Sequence, residues 1–469
     1  MSEPAAPVRE RVDTLIEGAL VVTMNAAREV LVDASVAIAG TRIVAVGKAS
    51  DLARRFEARA RVDGRRFVVV PGLVNAHLHV STEPLTRGVV PDDTAFEENV
   101  FHWLSPLAAA YREEDELLAA QLGAAELLRS GTTSFVEAAT GWHLDAVVEA
   151  LSQVGIRARV GRRVWDLPAE PARFRLSTDQ AIAALEEVLV RHGSHDEGRI
   201  KGWVMLVGHS TASDELWRAA RELADRYGAG INFHLSPAPS DPQWFLARYG
   251  ERPVVHLDRL GVLGPDTLLV HLVHVDDEEV ALLGARRCSV AHCPTTALKV
   301  AYGVSRCGRM PEMAAAGANV CIGTDGANAS NYADGYRAAY LVAGLFKDAR
   351  RDPSVFPAEQ VLEMATLNGA RAMLAEDEIG SIEVGKKADL VLHDRDRPEW
   401  TPLHDVARQL VYSVDGRSVH TVFVDGRKVV EGYRLTSVDE ERLYARAGEA
   451  ARQVLARAGL AARPRWPHR

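Results

Sequence analysis

Between residues 67 and 326 the chain carries eight short apolar segments, each followed by a helix-length stretch or a long loop. This alternation limits the fold more than any other feature. The segments are "FVVVPGLVNAH", "GTTSFVEAA", "IRARVGRRVW", "KGWVMLVGH", "AGINFHLS", "TLLVHLVH", "CSVAHCP" and "ANVCIGTDG". Intervening stretches such as "REEDELLAAQLGAAELLRSG" and "DELWRAARELADRYGAG" have helical spacing and end in glycine, a common helix stop. Eight strands, each trailed by a helix, are what a closed (β/α)8 TIM-type barrel of the α/β class requires. An open doubly wound sheet is the alternative, but no Gly-rich phosphate turn follows the first strand to support it.

Both chain ends have a different texture. "DTLIEGALVVTMN", "VLVDASVAIAG", "TRIVAVGK", "KKADLVLHD" and "VHTVFVDGRKVVEGYRL" are short β-rich runs between turns, and Asp425-Gly426 is a hairpin signal. The expected organisation is a small β-sandwich built from residues 1–70 and 376–435, a barrel over 71–375, and a basic helical tail over 436–469. The composition, 47% hydrophobic and 25% charged, is that of an ordinary folded protein. A net charge of −9 argues against nucleic acid as a partner, because phosphate neutralisation needs a clustered basic surface. There is no signal-peptide core at the N-terminus and no run long enough to span a membrane. Cys288, Cys293, Cys307 and Cys321 show no CxxC spacing and read as reduced thiols, so a cytoplasmic protein is expected.

The histidines fall where barrel chemistry takes place, at the C-terminal ends of strands. His77 and His79 close the first strand on one side of the pleat, since side chains alternate with period two. His234 closes the fifth, His271 and His274 the sixth, His292 the seventh and Asp325 the eighth. Nitrogen and carboxylate groups converging on one mouth point to a metal rather than to core packing.

These residues resemble the amidohydrolase superfamily. The motifs that carry the resemblance, in that family's order, are "PGLVNAHLH", "GTTSF", "FHLS", "VHLVHVDDEEVALL", "SVAHCPTTALKVAYGV", "AAGANVCIGTDGA", "ATLNGARAML" and "IGSIEVGKKADLVL". The branch that looks most similar holds chlorotriazine hydrolases and deaminases of S-adenosylhomocysteine, guanine and cytosine. The resemblance implies one divalent metal on His77, His79, His234 and Asp325, with zinc first and iron, cobalt or manganese as alternatives. Two-metal members use a carboxylated lysine at the end of strand four, whereas Lys201 here stands at that strand's beginning, so a single ion is expected. It also implies Asp325 as the base that takes a proton from water and returns it to the leaving group, His271 as a hydrogen-bonding partner of water or oxyanion, and a homo-oligomer.

One departure stands out. Ring deaminases of this branch carry Glu three residues after the strand-five histidine, and "HLSPAPSD" has Pro237 there. Proline cannot exchange a proton through its side chain, so general acid help, typically ~10²–10⁴-fold, is lost at that position. The expected reaction is therefore hydrolysis of an amide, urea or carbamate C–N bond, or a thiocarbamate C–S bond, in a small aryl or apolar substrate. That reading is similar to phenylurea and molinate hydrolases. The alternative is a deaminase of a purine, pterin or triazine in which Glu137 or Glu83 replaces the missing acid. Glu137 also reads as a hydrogen-bonded brace, and Glu83 as a solvated loop carboxylate or partner of Arg87. Candidate substrate contacts are Glu137, His274, His292, Trp103, Arg163, Trp165 and His209, each of which could equally be a packing residue.

Overall fold

Gly72 divides the first apolar run into two strands with different destinations: Phe67–Pro71 joins an outer sheet and Leu73–Leu78 opens the barrel. A Cβ at Gly72 would lie 2.0 Å from Thr133 Oγ1, so only glycine lets the chain pass this close to the second barrel strand. The structure, a computed structural model, describes residues 9–167 and 174–466; the first eight residues and the last three of the basic tail lie outside it.

The barrel strands follow the order expected from the sequence. Leu73–Leu78, Thr132–Glu137, Arg157–Val160 and Ile200–Gly202 run parallel in one sheet. Val204–Gly208, Ile231–Leu235, Thr267–His271, Ser289–His292 and Asn319–Ile322 run parallel in the other. The break between them falls inside the fourth strand at Trp203, whose N–H donates to Val160 O at 2.9 Å. At the opposite junction the Thr324 and Asp325 N–H groups donate to His77 O at 3.1 and 2.9 Å, bringing the eighth strand to the first. Eight parallel strands with helices between them are consistent with a (β/α)8 barrel. The helix Asp214–Tyr227 shows why these connections form. Ser213 accepts from Leu216 N–H at its start, Gly228 ends it in the left-handed conformation, and Leu216, Trp217, Ala220, Leu223 and Ala224 make its buried face.

The outer layer is built from both chain ends, as expected, and its strands connect as one sheet. Strands from both chain ends form one nine-stranded sheet, joined where Val391 pairs antiparallel with Val70. Ile16, Val36, Val69, Leu390 and Phe423, all on strands of this sheet, pack together in a core of their own. The hairpin at Asp425-Gly426 is present, and both residues take the positive φ that a tight two-residue turn demands. The four cysteines are unpaired, and among the described residues no helix is long and apolar enough to cross a membrane.

A segment after the first barrel strand folds over the mouth. It contains a π-helical stretch, Glu98–Leu104, running into the helix Ser105–Ala110. Its inner side presents Asn99, Val100 and Phe101 to the cavity below. On its outer side Trp103 and Leu107 pack with Val89 and Val90 against Leu455, Ala458 and Leu460 at the chain's end. Arg463 lies 5.1 Å over the Trp103 ring, and Arg465 pairs with Asp93 at 2.6 Å. The end of the last helix and Leu460 thus pack against this segment, while residues 461–466 are exposed. Ending the chain at Ala458 removes part of this packing, and losing only ~1.4 kcal/mol raises the open population about tenfold. Limited proteolysis within residues 91–104 should accelerate accordingly; an unchanged cleavage rate would mean that the tail does not hold the lid.

Candidate metal centre

Strain collects at the mouth. His209, Ser236, His271, Leu272 and Asp325, at or just beyond the ends of strands four, five, six and eight, all have φ between +46° and +76°. Non-glycine residues rarely adopt this conformation, and it persists where a site holds it in place. At Gly208 the constraint is absolute: φ is +86°, and a Cβ would lie 2.1 Å from His234 O. That approach brings the fourth strand end hard against the fifth.

The strand-end side chains converge. His77 Nε2 is 3.2 Å from His79 Nε2, which is 3.4 Å from His234 Nε2. Asp325 Oδ1 lies 3.4 Å from His77 Nε2 and 3.0 Å from His79 Nε2. His271 Nε2 stands 3.9 Å from Asp325 Oδ2. His234 Nδ1 donates to Val207 O at 2.7 Å, which leaves its Nε2 with a lone pair aimed at the cluster.

These residues fit a divalent cation. The separations His77–His79, His79–His234, His77–Asp325 and His79–Asp325, 3.0–3.4 Å, are close to the ~3.4 Å edge of a tetrahedron with metal–nitrogen bonds of ~2.1 Å. Facing nitrogens 3.2 Å apart cannot all be satisfied by protons. Burial lowers His77, lowers His234 well below the ordinary range and takes His271 down to about 3, keeping each in the neutral, electron-donating form. Burial also lowers His79, but Asp325 and Glu83 outweigh it and bring that ring to about 9. Asp325 is opposed by burial, yet the hydrogen bonds from His77 and His79 hold it ionised, well below the usual carboxylate range. A cation here would replace the proton that the two carboxylates otherwise draw onto His79.

Above the cluster lies a cavity of about 290 Å³ onto which His79, His234, His271 and Asp325 open. Of the residues singled out for substrate, Arg163, Trp165 and His209 line it. Trp103 is on the far side of the lid, as described. His274 is turned away: the left-handed pair His271 and Leu272 swings the chain outward, and its Nε2 meets Tyr302 O at 2.9 Å. His292 is buried against Phe346. Glu137 is a brace: Ser81 Oγ, Thr140 Oγ1 and Ala139 N–H all donate to it, at 2.9, 3.2 and 2.5 Å.

Glu83 is neither solvated nor paired with Arg87, which binds Glu126 instead. It is buried at the cavity wall, accepts Asn328 N–H at 2.8 Å and stands 3.6 Å from His79 Nδ1. Phe96, Glu97, Trp244, Tyr302 and Asp241 also line the cavity and had not been singled out. Only His209, Asp325 and their neighbours carried a signal in strand-end position; these five lie on loops and helices whose approach to the mouth no local pattern reveals. Lys201 is in the first segment of its strand, paired in register with Arg159, and is not among the cavity residues.

Fold and site together define a metal-dependent hydrolase of the barrel type. The model of the amidohydrolase family matches residues 68–429, and the chain belongs to that family. It is 36% identical to a 5-methylthioadenosine/S-adenosylhomocysteine deaminase of Moorella thermoacetica, over 87% of this chain and 92% of the relative. It is 33% identical to a 5'-deoxyadenosine deaminase of Methanosarcina acetivorans, over 95% and 99%. Among solved structures it is similar to an adenosine deaminase from Xanthomonas campestris with bound zinc, with TM-score 0.88 and 32% identity over 96% of this chain and all of that one.

Proposed function

We propose that this amidohydrolase removes the ring amine of an adenosine-type nucleoside as ammonia. The observation that carries this reading is the near full-length likeness, at 33–36% identity, to deaminases of 5'-modified adenosines. It favours the deaminase alternative over the amide, urea or carbamate reaction expected from Pro237, and over an aryl substrate.

The cavity is compatible in chemistry. Trp165, Trp244, Phe96 and Tyr302 offer flat apolar surface to a purine, while Glu83 and Glu97 offer acceptors to sugar hydroxyls. Arg163, buried and lowered to about 10 by that burial, lies 5.5 Å from the Trp165 ring and props this wall. His77, His79, His234 and Asp325 would hold the ion, zinc first by donor set, and a divalent ion so held would lower the pKa of a water toward neutrality. Asp325 takes a proton from the attacking water and returns it to the departing amine. His271, 3.9 Å from Asp325, is placed to hydrogen-bond the oxygen that attacks.

Metal-replete protein should release ammonia from adenosine, 5'-deoxyadenosine, 5'-methylthioadenosine or S-adenosylhomocysteine, with the oxo product read by mass. Release of an organic amine from ureas, carbamates or anilides, with no ammonia from any nucleoside, would reverse the choice.

A further inference from the structure

Thr140, Arg163 and Trp165 line the cavity from the turns that follow the second and third barrel strands. Two buried carboxylates hold the first of these turns by its N–H groups. Glu137 accepts Ala139 N–H, and Glu116 accepts Trp142 N–H at 3.0 Å and His143 N–H at 2.9 Å. Glu116 stands in the first turn of the helix Glu113–Arg129, fully buried, and is not among the cavity residues. Arg163 holds the same turn by its carbonyls. Its Nε donates to Thr140 O at 3.3 Å and its backbone N–H to Gly141 O at 3.2 Å. The Gly141–Trp142 peptide group is therefore a bridge, its N–H on Glu116 and its C=O on Arg163. A Cβ at Gly141 would lie 3.0 Å from both Glu116 Oε2 and Ser81 Cβ, so the turn sits tight against the acid. Across the bridge the Arg163 guanidinium lies 5.8, 5.5 and 5.4 Å from the ring centroids of Trp142, Trp165 and Phe174. A carboxylate behind an N–H polarises that peptide and strengthens its carbonyl as an acceptor. Burial pushes Glu116 up to about 7, against the pull of the two N–H groups, so it is ionised at pH 8.

We propose that Glu116 is a positioning residue for substrate: through the Gly141–Trp142 peptide it fixes Arg163, and with it the Trp165 face of the cavity wall. The proposal rests on the deaminase reading for its ligand. Glu116 is outside the cavity and outside the metal cluster, so it takes no part in proton transfer to the substrate. A wall that meets the substrate in the same way before and during reaction stabilises both states equally. Loosening it therefore raises KM and leaves kcat in place.

The test is Glu116→Gln in the metal-loaded protein at pH 8, with 5'-methylthioadenosine as substrate. Both Glu116 oxygens lie within 3.1 Å of Trp142 N, so either orientation of the amide sets its NH2 against that N–H. KM should rise about tenfold, with kcat within about threefold and metal content unchanged. The Trp142 and His143 amides should exchange hydrogen at least about tenfold faster than in the parent. Arg163→Gln should raise KM as well, and Glu116→Gln combined with Arg163→Gln should raise it no further than Arg163→Gln alone, because both act on one wall. Should Glu116→Gln not fold, Gly141→Ala, whose methyl group displaces the turn from Glu116, is read in the same way. An unchanged KM, a loss confined to kcat, or effects of the two substitutions that multiply in the double variant overturns the proposal and leaves the deaminase reading standing. No ammonia from the parent protein removes the deaminase reading and this role in substrate binding with it.

Discussion

His234→Ala yields a folded protein that retains under about a tenth of an equivalent of metal and turns over no substrate. The side chain is the one member of the cluster whose tautomer is fixed from behind, through Nδ1–H to Val207 O at 2.7 Å, so its Nε2 is committed to the cluster. It also comes from the fifth strand, whereas His77 and His79 come from the first, and without it one wall of the site has no donor. Metal analysis after gentle purification, circular dichroism and the ammonia assay together check this. Full metal content in His234→Ala would show that the ion, if any, sits elsewhere and would remove the basis for the proposed chemistry.

The second large effect lies at the other end of the molecule. Arg157, on the third barrel strand, is about 1% exposed and makes a two-pronged pair with Asp389, Nε to Oδ2 at 2.9 Å and Nη2 to Oδ1 at 3.2 Å. Its Nη2 also donates to Asp425 Oδ1 at 2.6 Å. Asp389 precedes the outer strand Leu390–Asp394, and Asp425 opens the hairpin before Arg427–Glu431, so one guanidinium bolts the barrel to the outer sheet. Arg157→Met should cost about 3–5 kcal/mol, because it leaves buried Asp389 without its cation and Asp425 with Lys387 alone, at 3.3 Å. Tm should fall by about 3–5 °C, since a chain of 469 residues has an unfolding entropy of ~1 kcal/mol/K. Adding Asp389→Asn and Asp425→Asn to Arg157→Met should recover part of the loss, since the penalty comes from the unpaired charges rather than from a missing attraction. A thermal midpoint within about 2 °C of the parent for Arg157→Met would refute the bolt.

How far the sequence could be read depended on whether a signal was local. The eight barrel strands are visible because apolar runs, glycine stops and amphipathic helices repeat along the chain, and their order is the one found. The strand-end histidines and Asp325 are visible because strand ends in such a barrel share one face. Loop residues were not. Trp103 and Phe101, two positions apart in "FEENVFHWLSP", lie on opposite sides of the lid, and only the π-helical turn and the tail packed against it decide which faces the cavity. Pro237 read as the loss of an acid, whereas the fold brings Asp241 back to the strand end.

By itself the sequence determined the strand succession and the donor types at the strand ends, because periodicity is a property of neighbouring residues. Only the tertiary structure decided that Glu83 and Asp241 face the cavity, that His274 and His292 do not, and that Gly72 splits the first apolar run between the outer sheet and the barrel. Those outcomes depend on segments far apart in the chain competing for the same space and hydrogen bonds, which no local pattern encodes.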